Sequence, residues 1–143
     1  MAGPRKLSLL IQSGDYGRLH YGLVTASAAA AIGRPVCLFF TMEGSRAVLG
    51  GKSADRPGWH DLHAEGGEKA AAIDGGYRAR GIAGFAELLE ACRDLGVRFM
   101  VCETGLLSIG AVAADLRPDL DIEVGGVVAF LHQAEDSGDL LFI

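Results

Sequence analysis

The fold class is decided by residues 6–41, KLSLLIQSGDYGRLHYGLVTASAAAAIGRPVCLFFT. The stretch begins with KLSLLIQ and ends with PVCLFFT, two short apolar runs that are typical of strands buried on both faces of a sheet. Between them, small and apolar residues recur at helical spacing until a glycine and a proline stop the pattern. Strand, helix and strand in this order form a right-handed crossover, so the stretch predicts a parallel sheet. The helical face is carried by Leu19, Leu23, Ala26 and Ala30, and the stop by Gly33 and Pro35.

The rest of the chain continues this alternation after an irregular middle part. Residues 44–83 are rich in glycine and predict a loop-rich insertion with one short helix. The whole chain, residues 1–143, is expected to form one domain. Its pattern predicts a doubly wound, mainly parallel five-stranded α/β sheet with helices on both faces. The later elements expected are helices at 84–96, 106–116 and 125–136 and strands at 97–102, 121–124 and 140–143.

Charge and cysteine content argue against several classes of protein. The net charge is −5 and the basic residues are scattered, so nucleic acid is not an expected partner. No apolar run reaches the roughly 18 residues needed to span a bilayer, so no membrane span is expected. The chain has three cysteines and no CxxC pair, which argues against a disulfide framework or a structural zinc site. Free thiols fit a reducing compartment, and the expected location is the cytoplasm.

Cys102 is the candidate reactive group because of its position. It ends the predicted strand VRFMVC, and in open α/β sheets ligands collect at the carboxyl edge. A helix beginning at about residue 106 would lower its pKa, whereas the carboxylate of Glu103 would raise it, so the sign of the net shift stays open. The alternative is that Cys102 is a small apolar residue closing a strand. Cys37 lies in an apolar strand and Cys92 on an apolar helix face, and both are expected to be inert core thiols.

Polar residues at the ends of the predicted strands are candidates for a pocket rim around this thiol. The loop QSGDYGRLH (12–20) follows the first strand, which in a flavodoxin-like strand order neighbours the strand that ends at Cys102. His20 could then act as a base or stabilise a thiolate. The alternative is ordinary turn and cap residues with an exposed histidine. The expected rim residues are Ser13, Asp15, Tyr16, His20, Met42, Glu43, Glu103 and Thr104.

Other motifs give no support for a cofactor or a metal. GSRAVLGGKS (44–53) has Arg46 where a phosphate-binding P-loop needs glycine, and neither GxGxxG nor GxSxG occurs in the sequence. The loop SGDYG also lacks the Ser and Thr content of a flavin phosphate loop. In DRPGWHDLHAE (55–65), His60 and His63 are three residues apart, but a solvated polar loop is a better interpretation than a metal site. We therefore expect no cofactor and no metal ion.

Four segments, taken in order along the chain, resemble the DsrE/DsrF-like family of small sulfur-relay proteins. The resemblance implies a flavodoxin-like α/β subunit that assembles into homotrimers or homohexamers. It also implies a thiol that accepts sulfane sulfur as a persulfide and passes it to a partner. Only Cys102 matches that thiol, by its place after VRFMV. The four segments are LSLLIQSGD (7–15), the Ala-rich stretch through GRPVCLFFT (33–41), FAELLEACRDLGVRFMVCETGLLSIG (85–110) and VGGVVAFLHQAEDSGDLLFI (124–143).

The leading hypothesis is a sulfur carrier or sulfurtransferase that works through Cys102. Its partners would be sulfur donor and acceptor proteins or small sulfane-sulfur compounds. The alternative is a non-catalytic oligomeric module that binds a small ligand, with Cys102 only lining the pocket. A redox thiol that forms a sulfenic acid is a third possibility, for which the sequence offers no convincing resolving cysteine.

Overall fold

The computed structural model describes residues 3–135 and 138–143, which form one five-stranded sheet flanked by helices. The strands are β1 (Lys6–Ile11), β2 (Val36–Phe40), β3 (Arg98–Cys102), β4 (Ile122–Gly125) and β5 (Gly138–Phe142). The helices are α1 (Tyr16–Ala31), α2 (Ala70–Ala79), α3 (Phe85–Asp94), α4 (Glu103–Ser108) and α5 (Val127–Ala134). Across the sheet the strands lie in the order β4-β3-β2-β1-β5, and every neighbouring pair is parallel.

The unit β1-α1-β2 confirms the prediction made from residues 6–41. The Asp15 carboxylate accepts a 2.9 Å hydrogen bond from the backbone N–H of Arg18, which satisfies a free donor at the start of α1. Gly33 follows the end of α1 with φ of +89°, a conformation that glycine adopts without strain. All five residues of β2 are buried, as expected for a central strand.

Helices cover both faces of the sheet. One face, the α1 face, packs against α1 and α3 and holds the larger apolar core. The other, the α5 face, packs against α5, and its core is small: Cys37, Phe39, Met100, Cys102 and Phe130. The predicted fold class is thereby confirmed, since this is a parallel α/β sheet of five strands consistent with a flavodoxin-like fold.

The neighbours of β1 differ from the expectation. In the flavodoxin strand order β1 lies between β2 and β3, whereas here it lies between β2 and β5. The chain adds β2, β3 and β4 one after another on the same side of β1, and the connection through α5 returns β5 to the other side. The loop after β1 is therefore separated by one strand from the loop that follows Cys102.

The helix predicted at residues 106–116 is wrong in its bounds. It begins at Glu103, directly after Cys102, and ends at Ser108, because Gly110 adopts φ of +72° and turns the chain away. The predicted end of the last helix at Asp136 lies outside the described residues. Within the described chain that helix, α5, ends at Ala134.

The insertion at residues 44–83 packs onto the domain as part of its core. It contains α2 and three short 3-10 segments, Met42–Val48 at its start, Gly58–Asp61 and Glu65–Gly67. Trp59, Leu62 and Ala70 are buried in the core of the α1 face. The insertion therefore adds structure to the α1 face and contributes no residue to the small core of the α5 face.

Candidate functional site

Cys102 is the last residue of β3 and lies at the carboxyl edge of the sheet. Its side chain belongs to the small apolar core of the α5 face, and the next residue begins α4. Cys102 keeps 9% of its surface exposed, whereas Cys37 keeps 2% and Cys92 none. Of the three cysteines, Cys102 is the one with the most solvent contact.

The other two cysteines are core thiols, as predicted. Burial raises the pKa of the Cys37 thiol to about 11 and the pKa of the Cys92 thiol to about 12. The Cys92 thiol also donates a weak hydrogen bond to the carbonyl of Leu23, with a sulfur–oxygen distance of 3.8 Å. Neither group is a ready nucleophile near neutral pH, because the reactive form of a cysteine is the thiolate.

Neither core thiol lies where it could pair with Cys102. Cys37 is paired with Arg98 in the β2–β3 register, and Arg98 precedes Cys102 by four residues. At about 3.3 Å per residue this separates the two cysteines by roughly 13 Å along the strands. Cys92 lies in the core of the opposite face. A disulfide needs Cα atoms within about 7 Å, so this fold gives Cys102 no disulfide partner within its own chain.

The end of β2 packs backbone to backbone against the turn that follows Cys102. A Cβ atom on Gly105 would lie 2.5 Å from the backbone N of Met42 and 2.8 Å from Cα of Thr41, so only glycine permits the approach. Met42 itself has φ of 50°, and among the described residues it is the one non-glycine residue with a positive φ. Such strained backbone is held by its surroundings and is frequent at functional sites.

Four of the predicted rim residues come together at this edge. Met42 and Glu43 follow β2, Glu103 and Thr104 follow the neighbouring β3, and all four are exposed. The Glu43 carboxylate forms a 2.6 Å ion pair with Arg46. The edge beside Cys102 thus carries two carboxylates, one of them already paired with a cation.

Ser13 and Asp15 act locally in the loop after β1. The Ser13 hydroxyl accepts a 3.0 Å hydrogen bond from the backbone N–H of Asp15, and Asp15 in turn caps α1. This is the turn-and-cap role given above as the alternative. Because β2 lies between β1 and β3, these two residues belong to the neighbourhood of Glu43 and His63, whose side chains approach Gly14 closely.

Tyr16 and His20 lie in the core of the α1 face, away from the predicted rim. The Tyr16 hydroxyl donates a 2.6 Å hydrogen bond to Asp74, and His20 Nε2 lies 2.9 Å from the carbonyl oxygen of Ala83. His20 is 5% exposed, so the alternative of an exposed histidine is wrong as well. The expectation of a histidine base beside the thiol fails because α1 packs on the face opposite to Cys102. Both rings belong to an aromatic cluster formed by Tyr16, His20, Trp59, Tyr77 and Phe85.

The buried carboxylate of Asp74 was not found by sequence reasoning. Its Oδ1 accepts hydrogen bonds from the Tyr16 hydroxyl at 2.6 Å and from the backbone N–H of Phe85 at 2.7 Å. Arg78 adds an ion pair at 3.5 Å. Asp74 sits in the Ala-rich helix α2, where no pattern marks it as buried; only its partners in α1 and α3 explain its position.

Two cavities are lined in part by residues described above. A cavity of about 220 Å³ lies beside α4, lined by Glu103 and by apolar side chains of α4, of residues 111–113 and of β4. A larger one of about 540 Å³ lies between the insertion and α3, with Trp59 and Asp74 in its wall. Within residues 3–135 and 138–143, no three His, Cys, Asp or Glu side chains are arranged to hold a metal ion.

Comparison with known proteins decides the family. The model of the DsrE/DsrF-like family matches residues 5–142, nearly the whole chain. The chain belongs to the DsrE/DsrF-like family. The resemblance drawn from the four sequence segments is thereby confirmed, and membership is consistent with a role in sulfur relay in general.

Similar proteins align with nearly the whole of this DsrE/DsrF-like protein. It is 25% identical to the Bacillus subtilis protein YrkE, with 97% of each chain aligned. Its fold is similar to that of the E. coli protein YchN, with 20% identity, a TM-score of 0.62 and coverage of 99% and 100% of the two chains. It is also similar to MTH1491 from Methanobacterium thermoautotrophicum, with 15% identity, a TM-score of 0.59 and coverage of 97% and 99%. At this identity the two structures support the fold alone.

Proposed function

We propose that this protein is a sulfur carrier, or sulfurtransferase, that accepts sulfane sulfur on Cys102 as a persulfide and passes it to a partner thiol. The observation that carries the proposal is the position of Cys102, the most exposed of the three thiols, at the carboxyl end of β3. Family membership supports a sulfur-relay role in general. The two core thiols, with their raised pKa values, leave Cys102 as the candidate.

The proposed chemistry is two successive displacements at sulfur. The Cys102 thiolate attacks the outer sulfur of a donor R–S–SH, the donor S–S bond breaks, and its electron pair leaves on R–S⁻, which takes up a proton. An acceptor thiolate then attacks the outer sulfur of the Cys102 persulfide and releases the Cys102 thiolate. Neither step needs an external oxidant, because one S–S bond forms for each that breaks. The acceptor is supplied by the partner, since the fold gives Cys102 no second thiol within reach.

The partners proposed are sulfur donor and acceptor proteins or small sulfane-sulfur compounds, together with further copies of the chain as a homotrimer or homohexamer. The α5 face supports assembly because apolar side chains on and beside α5 are exposed. The described chain contains no helix long and apolar enough to cross a membrane. Reduced thiols are required, so the cytoplasm is the proposed location. The exposed apolar residues of this surface are Val127, Val128, Leu131, Leu140 and Phe142.

Sulfur uptake is the direct test. The reduced protein is incubated with thiosulfate, or with a small persulfide, and the added sulfur is mapped by mass spectrometry of the intact chain and its peptides. We expect one added sulfur atom on Cys102 in the wild-type protein and none in Cys102→Ser. Cys37→Ala is the matched control, since it removes a thiol from the same apolar core and should take up sulfur normally.

A non-catalytic ligand-binding module is the second candidate. It is favoured by the limited exposure of Cys102 and by the mostly apolar cavity of about 220 Å³ that Glu103, the next residue, helps to line. The same experiment separates the two functions. A Cys102 thiol that reacts with a small alkylating agent but takes up no sulfur from either donor would contradict sulfur transfer and support the binding module.

A further inference from the structure

We propose that the hydroxyl of Thr41 donates a hydrogen bond to the thiolate of Cys102 and so stabilises and orients it. The inference rests on the proposed function, because it assigns a positioning residue to the thiol that would carry the sulfur. Thr41 was not among the residues singled out from the sequence. It directly follows β2, the strand that neighbours β3.

The strand register places Thr41 beside Cys102. Phe40 is paired with Val101 in the parallel ladder. The next residue on each strand is still extended, with φ −144° and ψ 160° at Thr41 and φ −79° and ψ 125° at Cys102. The backbone N–H of Thr41 also donates a 2.9 Å hydrogen bond to the carbonyl of Ile11, so Thr41 is still held in the sheet. The two residues are therefore neighbours across strands about 4.8 Å apart.

The two side chains also belong to the same face of the sheet. Side chains alternate between the faces along a strand, and residues paired across a ladder share a face. Phe39 and Met100 are such a pair, and both lie in the core of the α5 face with Cys102. Thr41 comes two residues after Phe39, as Cys102 does after Met100. The hydroxyl and the thiol are thus adjacent on the α5 face.

The Thr41 hydroxyl has a proton to give. In the part of the chain that the structure describes, the Thr41 hydroxyl donates to no acceptor. The hydroxyl of Thr25, by contrast, donates to the carbonyl of Tyr21 at 2.9 Å. Oγ1 of Thr41 lies 2.7 Å from the position that a Cβ atom of Gly105 would occupy, so it faces the first turn of α4. No hydrogen bond joins the Thr41 hydroxyl to the neutral Cys102 thiol in the structure, so the proposed bond forms when the thiol ionises and the Thr41 side chain turns toward its neighbour in the strand register.

The charges around Cys102 make a neutral donor important. Glu103 on α4 and Glu43 after β2 carry carboxylates, which accept hydrogen bonds and do not donate them. The cations on the neighbouring elements are engaged, since Arg46 pairs with Glu43 at 2.6 Å. On the α5 face, an arginine of β3 forms a 2.7 Å ion pair with a glutamate of β4. The helix α5 carries one histidine, near its end. These last groups are Arg98, Glu123 and His132, and Cys37 is the other thiol on this face.

The test is the pH dependence of alkylation at Cys102, followed by mass spectrometry of the peptide that contains it. Thr41→Val keeps the shape of the side chain and removes the hydroxyl, and Thr41→Ala does so with a smaller side chain. A hydrogen bond to a charged group corresponds to about one pKa unit, so we expect both variants to raise the apparent pKa of Cys102 by about that amount. Thr41→Ser, which restores a hydroxyl, should return it to the wild-type value.

Thr25→Val is the matched control, because it removes a threonine hydroxyl far along the chain from this edge and should leave the titration of Cys102 unchanged. Circular dichroism checks that each variant is folded. Folded Thr41→Val and Thr41→Ala variants that titrate like the wild-type protein would overturn the assignment of Thr41, whatever the outcome of sulfur uptake. Conversely, a raised pKa in these variants, in a protein that takes up no sulfur, would support Thr41 and contradict the proposed function.

Discussion

The Tyr16 hydroxyl donates a 2.6 Å hydrogen bond to Oδ1 of Asp74, a residue 58 positions further along the chain. The same oxygen accepts the backbone N–H of Phe85 at 2.7 Å. One buried carboxylate therefore connects α1, the insertion helix α2 and the start of α3. Burial raises the pKa of Tyr16, and the hydrogen bond to the neighbouring carboxylate raises it further.

Replacing Tyr16 with phenylalanine should destabilise the fold. The change leaves the ring in place but removes a donor from a buried carboxylate, and such a loss costs about 1–3 kcal/mol of unfolding free energy. The effect can be measured by urea unfolding, with the fluorescence of Trp59 as the signal. Trp59 is the single tryptophan and belongs to the same aromatic cluster as Tyr16. Tyr21→Phe is the control, since Tyr21 is 69% exposed. Equal unfolding free energies for the two variants would contradict a structural role for this hydrogen bond.

Stability should fall as the pH rises above about 9. Cys37 and Cys92 have pKa values of about 11 and 12 in the folded protein, above the ordinary value of 9.0. The folded chain therefore keeps protons that the unfolded chain has lost, and unfolding is favoured with each step upward in pH. The urea midpoint of the wild-type protein should decrease from pH 8 to pH 11. The midpoint of Cys92→Ala should decrease less steeply over the same range. Parallel pH profiles for the two proteins would contradict the prediction.

Replacing Gly105 with alanine should disturb the edge that carries Cys102. The added methyl group would meet the backbone of Thr41 and Met42 at 2.5–2.8 Å, and overpacking of this kind costs about 1–3 kcal/mol. Gly75→Ala serves as the control because a Cβ atom there meets nothing within 4 Å, and alanine in the helix α2 should stabilise by about 0.5–1 kcal/mol. Thermal unfolding shows whether each variant is more or less stable than the wild type. A Gly105→Ala protein as stable as the wild type would contradict the prediction and show that the edge can relax.

An acidic residue on the α5 face should weaken self-association. Phe142 is 67% exposed, and in the β1–β5 register it pairs with Leu10, which packs against the core of that face. Native mass spectrometry should detect a homotrimer or homohexamer for the wild-type chain and smaller species for Phe142→Asp. Ile32→Asp, at a site that is 77% exposed just after α1, should assemble like the wild type. A monomeric wild-type protein would contradict the proposed assembly.

The sequence was sufficient where structure depends on local pattern. The first strand, helix and strand follow from apolar periodicity and from stop signals such as Gly33, and they were predicted within a few residues. The strand neighbours of β1 were not predicted correctly, because no local sequence pattern shows that the chain returns through α5 to the other side of β1. Tyr16 and His20 were misplaced for the same reason, since their partners Asp74 and Ala83 lie about 60 residues away. The edge residues near Cys102 could be predicted because they directly follow strands.

The distance between Cys37 and Cys102 has a kinetic consequence. A persulfide on Cys102, as proposed, has no thiol of its own subunit to react with, so it cannot decay by an internal disulfide. Its discharge is then a bimolecular reaction whose rate grows in proportion to the concentration of acceptor. The lifetime of the loaded protein would thus report how much acceptor is present, and in the absence of acceptor the sulfur would stay where it was bound.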